Sequence, residues 1–255
     1  MIFDTHCHLN HEDLYQDLEN VINRAKEAGV ARFLVVGYDK PSSLLAIKLA
    51  EQYDFIYAAI GYHPTELKGL SEEDFIEVMN LLKHPKVVAL GEIGLDYYWE
   101  KDEEDKKRQK EYFIRQINIA NENNLPISIH NRDAINDCLE ILKEHPVKMG
   151  GVMHCYSGSV ESMHEFIKYN MYISLGGPVT FKNAKTPKEV AMSVPLDKLL
   201  VETDSPYLSP HPFRGTTNEP AKIKLVIEEI ARLRGVKVEE IENVTYSNAL
   251  KLFHV

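Results

Sequence analysis

Short apolar runs rich in β-branched residues alternate along the chain with longer stretches in which apolar side chains recur every three to four positions. The first pattern is that of strands buried on both faces, and the second that of amphipathic helices laid against them. Eight strands are predicted, at 2–8, 32–37, 55–60, 86–92, 126–130, 151–154, 171–175 and 199–203. Helical patterns fall between them at 12–29, 41–53, 71–83, 103–124, 132–144, 159–169 and 183–193, and continue at 219–234 and in a closing segment from 238. The punctuation agrees. Ser71-Glu72-Glu73-Asp74 reads as a cap with an acidic first turn, and Asn218-Glu219-Pro220 puts a proline near the start of a helix. Leu82-Lys83-His84-Pro85 and Lys143-Glu144-His145-Pro146 stop helices, because the residue before a proline is pushed out of the helical region.

Eight strand-helix units in 255 residues, with no linker or repeat to divide them, predict a single domain over 1–255 built as a closed (β/α)8 TIM barrel. An open doubly wound sheet would carry a glycine-rich phosphate turn after its first strand, where this chain has Thr5-His6-Cys7-His8. A chain of this length buries roughly 75% of its unfolded surface, so any metal it holds serves function before stability.

Composition narrows the setting. With 29 basic and 39 acidic side chains the formal charge is −10, which argues against coating nucleic acid by bulk charge and leaves room for a local basic rim. Three well-separated cysteines, Cys7, Cys138 and Cys155, without CxxC spacing suit free thiols in a reducing cytoplasm. Neither a membrane-length apolar run nor a signal-like N-terminal segment is read, so a cytoplasmic location is expected, with no membrane association and no obligate protein partner.

The chemistry gathers at strand ends. His6 and His8 end the first strand, Glu92 the fourth, His130 the fifth and His154 the sixth, and Asp204 follows the eighth. In a barrel these ends share one mouth, the face on which active sites are built. His, Glu and Asp suit divalent ions such as Mg, Mn, Zn, Co or Ni, and six donors exceed one tetrahedral site, so two ions are expected. Two close ions need a bridging carboxylate, and Glu92, between the two histidine groups, is the choice over Asp204. Strand alternation turns Cys7 and Cys155 away from the mouth and puts Asp4 and Glu202 one layer below it, as outer partners that orient the ligands. His63, just past strand three, is expected to contact substrate or order its turn. His11 is expected at the surface, and His84, His145, His164 and His254 in structural roles.

The chain resembles the TatD family of metal-dependent deoxyribonucleases, within the amidohydrolase superfamily, over nearly its whole length. The resemblance is carried by Asp4-Thr5-His6-Cys7-His8, Gly61-Tyr62-His63-Pro64, Gly91-Glu92-Ile93-Gly94-Leu95-Asp96-Tyr97, Ile129-His130-Asn131-Arg132, Met153-His154-Cys155-Tyr156-Ser157-Gly158, Gly176-Gly177-Pro178-Val179-Thr180-Phe181-Lys182 and Glu202-Thr203-Asp204-Ser205-Pro206. It implies one ion on His6, His8, Glu92 and Asp204, a second on Glu92, His130 and His154, and exonucleolytic hydrolysis of single-stranded DNA. One departure is Thr216-Thr217, where a basic residue is often found in the family.

On this reading Asp204 and Glu92 are the catalytic carboxylates, with Asp204 accepting the proton of a water that attacks phosphorus. Arg132 and Arg214 are candidates to hold non-bridging phosphate oxygens, with Lys182 a third. Tyr97, with Tyr98 and Trp99, forms a rim loop suited to stacking a splayed base. The same metal chemistry would also cleave a small ester, lactone, amide or aminoacyl-tRNA bond. A non-catalytic nucleic-acid-binding module fits neither the negative charge nor six ligand-type residues at one mouth.

Overall fold

A computed structural model describes residues 1–255. The strands are β1 (Ile2–Cys7), β2 (Val30–Val36), β3 (Ile56–Ile60), β4 (Val87–Asp96), β5 (Ile127–Arg132), β6 (Gly151–Met153), β7 (Met171–Leu175) and β8 (Leu199–Val201). They pair in parallel in the order of the chain. Past the end of β8 the chain returns to β1: the Asp204 N–H donates to the His6 carbonyl at 2.9 Å and the His8 N–H to the Ser205 carbonyl at 2.8 Å. The result is a (β/α)8 barrel in which the residues that complete its circuit are also candidate site residues.

The helices are α1 (Glu12–Tyr15), α2 (Leu18–Glu27), α3 (Lys40–Gln52), α4 (Glu72–Asn80), α5 (Glu103–Asn123), α6 (Ile135–Glu144), α7 (Val160–Lys168), α8 (Lys185–Ser193), α9 (Ile223–Arg234) and α10 (Val238–Phe253). No helix is long and apolar enough to cross a membrane. The Ser71 hydroxyl caps α4 by accepting from the Asp74 N–H, as its sequence predicts. The helix expected over 12–29 is instead two, because the chain leaves the helical ladder at Gln16 and Asp17.

A second difference bears on the site. Strand β4 does not end at Glu92 but runs four residues further, to Asp96, paired with β5 through Gly94 opposite His130 and Asp96 opposite Arg132. A glycine within it is what lets it continue. Gly94 sits at φ 141°, and a Cβ there would lie 2.0 Å from the His130 carbonyl oxygen. Only glycine permits that approach.

Two apolar clusters hold the barrel. The larger joins the outward side chains of the strands, such as Ile2, Phe33, Val35 and Ile56, to the buried stripes of the helices. The smaller takes the alternate residues Phe3, Leu34, Val36, Val88, Val152, Tyr172 and Leu200 and seals them with Leu252 and Phe253 of α10. The Phe3 and Phe253 rings pack tilted at 49°, with centroids 5.9 Å apart. With one end closed by this apolar plug, the polar side chains of the same strands converge at the other.

Candidate metal centre

At that open end His6 closes β1 with His8 two residues on, Glu92 and His130 project from β4 and β5, and His154 and Asp204 follow β6 and β8. Glu92 is 5% exposed and lies between two groups of donors. Its Oε2 is 3.4 Å from His6 Nε2 and 3.8 Å from His8 Nε2, and Asp204 Oδ1 is 3.9 Å and 3.6 Å from the same nitrogens. Its Oε1 is 2.9 Å from both His130 Nδ1 and His154 Nε2, which are 3.4 Å apart. Tetrahedral ligands held about 2.1 Å from one ion lie about 3.4 Å from each other, so both sets have the spacing a divalent cation requires. The residues fit such an ion.

The far side of each ring is engaged as a ligand's should be. His8 Nδ1 donates to the Val36 carbonyl at 3.0 Å, and His154 Nδ1 to Glu202 Oε1 at 3.2 Å. His6 Nδ1 meets the Ser128 hydroxyl at 3.5 Å while its ring stacks on His154 at 3.9 Å. His6 Nε2 and His8 Nε2 then face each other at 3.2 Å, so a proton or a cation has to lie among these nitrogens and carboxylates. Burial alone would raise the Glu92 carboxyl, but His154, His63 and His130 hold it well below the usual carboxylate range. For His154 burial works downward, and Glu92 with Glu202 reverses it to well above the ordinary imidazole value. A field that binds a proton this firmly is also one that draws a divalent ion. Cys155 and Asp204, beside and among these donors, hold left-handed backbone at φ 42° and 54°, a strain of the kind that collects at functional sites.

His63 lies closer to this cluster than its place past β3 suggests. Its Nδ1 accepts from the Thr65 N–H at 3.2 Å, leaving Nε2 as the N–H end, 3.5 Å from Glu92 Oε1. Burial and the neighbouring His130 push its pKa down to about 3, so it is a neutral donor. His11 caps α1 instead, accepting from the Asp13 N–H.

The remaining residues sort by depth. Glu202 lies behind His154 and also accepts from the Cys155 N–H at 2.7 Å. Asp4 is fully buried below the mouth, where the register of β1 against β2 shifts between Asp4 and Cys7. Its carboxylate accepts from the Thr203 hydroxyl at 2.6 Å and the Thr203 N–H at 3.0 Å, bracing the segment that carries Asp204 rather than a histidine ring. Burial raises its pKa to about 8. Tyr97 is tied down, its hydroxyl donating to Asp137 at 2.6 Å, while Tyr98 and Trp99 are exposed. The Arg132 guanidinium lies 3.8 Å over Tyr98, and that of Arg214 lies 4.2 Å over Phe181. Lys182 is exposed on the same loop as Phe181. Where Thr216-Thr217 depart from the basic pattern, the Lys222 ammonium reaches in and donates to the Thr217 carbonyl at 2.5 Å.

One residue escaped the sequence reading. Asp96 accepts from His130 Nε2 at 2.9 Å, and it shares strand parity with Glu92, a signal that a strand ending at Glu92 hides.

The profile of the family described as TatD related DNase matches residues 3–254. The chain belongs to the TatD family. It is 54% identical over 256 residues to the uncharacterized metal-dependent hydrolase YabD of Bacillus subtilis (strain 168), covering 100% of both chains. It is 42% identical over 258 residues to the uncharacterized metal-dependent hydrolase YcfH of Escherichia coli (strain K12), covering 100% of this chain and 96% of that one. The crystal structure of YJJV, a TatD homologue from Escherichia coli K12, superposes with a TM-score of 0.94 at 32% identity, covering 100% of this TatD-family chain and 98% of the other.

Proposed function

We propose that this chain is a hydrolase dependent on two divalent metal ions, that it acts as a phosphodiesterase on DNA, and that it works exonucleolytically on single strands. The observation that carries the reading is Glu92, whose two oxygens each face a separate set of donors at ligand spacing. His6, His8, Asp204 and Glu92 Oε2 would hold one ion, and His130, His154 and Glu92 Oε1 the other. Ions held there supply Lewis acidity towards a phosphoryl oxygen and acidify water towards neutral pH.

The chain's own residues do the rest. Asp204 is ionised: burial would raise its carboxyl, and the hydrogen bond with His8 and the nearby imidazoles hold it below its usual range. With Oδ1 turned to His6 and His8, it accepts the proton of the attacking water and passes it to the leaving oxygen. His63, neutral with its Nε2–H towards the mouth, donates to charge developing on a phosphate oxygen. Arg132 and Arg214 supply charge-assisted bonds to non-bridging oxygens, and Tyr98 and Trp99 give bases a stacking surface. The relatives named metal-dependent hydrolases and the DNase family profile support the class of reaction. The three free thiols support a reducing, cytoplasmic setting, and the continuous strand order supports one domain over 1–255.

The test is hydrolysis of end-labelled single-stranded DNA after chelation and re-addition of magnesium, manganese, zinc, cobalt or nickel. Asp204→Asn and His130→Ala are run beside the wild type. Metal-dependent cleavage lost in both variants is expected, with product ladders giving polarity. Inactivity of the wild type with every metal would overturn the DNA reading and direct the search to small esters, lactones, amides and aminoacyl-tRNA.

A further inference from the structure

Asp96 is a 1% exposed carboxylate wedged between the donor cluster and the rim. Its backbone is clamped from both sides by the buried Gln109 amide of α5, which accepts from the Asp96 N–H at 2.8 Å and donates to the Asp96 carbonyl at 3.0 Å. Both carboxylate oxygens are committed as acceptors. Oδ1 takes the backbone N–H groups of Tyr98 at 3.0 Å and Trp99 at 2.9 Å, and Oδ2 takes His130 Nε2 at 2.9 Å. On its opposite side the His130 ring meets Glu92 Oε1 at the same 2.9 Å. In the neutral form that a metal ligand must take, the imidazole therefore stands between two carboxylates, each able to claim its one N–H.

We propose that Asp96 is the positioning residue that settles this competition, holding the proton on His130 Nε2 so that the Nδ1 lone pair faces Glu92, and joining that choice to the Tyr98–Trp99 rim loop. This rests on the metal-dependent reading above, in which Nδ1 is the ligand atom. If Glu92 won the proton, Nδ1 would carry hydrogen and could not ligate. Asparagine at position 96 makes the consequence sharp. It has one acceptor oxygen, and keeping the two loop N–H bonds points that oxygen at Tyr98 and Trp99 and turns the amide N–H2 towards His130. The amide then donates to Nε2 and forces hydrogen onto Nδ1. Alanine loses the loop bonds but leaves the ring free to choose.

Two orders of effect separate proton placement from simple support. Chelator competition is measured with zinc on the metal-stripped full chain for wild type, Asp96→Asn and Asp96→Ala. Beside it run thermal melts of the metal-free proteins and emission of Trp99, the chain's single tryptophan, as a report on the loop. Asp96→Asn is expected to weaken one zinc by about 10- to 100-fold and by more than Asp96→Ala does. The melts are expected in the opposite order, with Asp96→Ala the lower and Trp99 emission unchanged in Asp96→Asn. Nitrogen-15 spectra of the neutral His130 ring in metal-free protein should show hydrogen on Nε2 in the wild type and on Nδ1 in Asp96→Asn. Wild-type zinc affinity in Asp96→Asn, greater loss in Asp96→Ala, or hydrogen on the same ring nitrogen in both proteins would overturn the inference. Failure of the wild type to bind two zinc ions would overturn the two-ion reading instead, since the ring spectra are read without metal.

Discussion

The two ends of the barrel are built from the same strands and obey opposite rules. On β1 the change takes three residues: Phe3 is packed against Phe253 in the apolar plug, and His6 already faces Glu92 and Asp204. At the plug, side chains are chosen for volume and carry no buried charge. At the mouth, four imidazoles and two carboxylates crowd with polar atoms less than 4 Å apart, an arrangement that costs stability unless protons or cations sit among them. One end therefore stabilises the fold, and the other spends some of that stability on chemistry.

Substituting across this divide should separate activity from stability. Glu92→Gln has the largest expected effect. The loss of a carboxylate facing both donor sets removes several kcal/mol of charge stabilisation, about 10³-fold or more in hydrolysis rate. The metal-free protein should melt slightly lower than wild type and by far less than a core variant, because the imidazoles lose the carboxylate that balances them but can shed their protons to water. Initial rates and calorimetry on one preparation check both halves, and a large drop in melting temperature would contradict the division.

Phe3→Ala is the mirror image. Emptying a fully buried phenylalanine site is expected to cost about 3–5 kcal/mol in urea unfolding. Turnover per folded molecule and metal content should stay at the wild-type level. Loss of metal at native-like stability would mean that the plug shapes the mouth directly.

The legibility of the sequence follows the same divide. The strands of the barrel could be read because apolar runs and helical periodicity are set by burial, which is local in its pattern. The convergence of His6, His8, Glu92, His130, His154 and Asp204 could be read because barrel topology brings strand ends together wherever the loops go. What escaped depends on backbone detail that one residue's type does not declare. The contact of Asp4 with Thr203 beside a register shift, the glycine-permitted extension of β4 that hides Asp96, and the Asp137 carboxylate of α6 that takes the Tyr97 hydroxyl are such details.

The ends should also differ in their response to pH. In the metal-free chain His154 is held above, and Glu92 below, its ordinary range. A raised imidazole adds stability at low pH and loses it as pH climbs through the folded value. A depressed carboxyl adds stability above its ordinary range and loses it as pH falls through the folded value. The metal-free mouth is then most stable between these limits and weakens on the alkaline side, whereas metal affinity rises with pH as the competing proton leaves. Melts across pH with and without zinc should diverge on the alkaline side; parallel curves would show that these groups contribute nothing to the linkage.

The smallest expected effect falls on a residue whose place in the comparison is open to a direct test, Tyr97→Phe. Tyr97 sits on the rim, yet its hydroxyl points away from the donors to Asp137 of α6, which also pairs with Lys110 at 2.6 Å. Burial, together with Asp137, pushes the hydroxyl well above its ordinary range, so it remains a donor throughout the pH range of the melts. Removing it should cost about 1 kcal/mol, because Asp137 keeps its lysine and is not left unpaired. That places Tyr97 with the stabilising part of the molecule although it adjoins Tyr98 and Trp99. A fall in affinity for single-stranded DNA with no change in the urea midpoint would move it to the mouth and make the whole 97–99 segment one recognition surface.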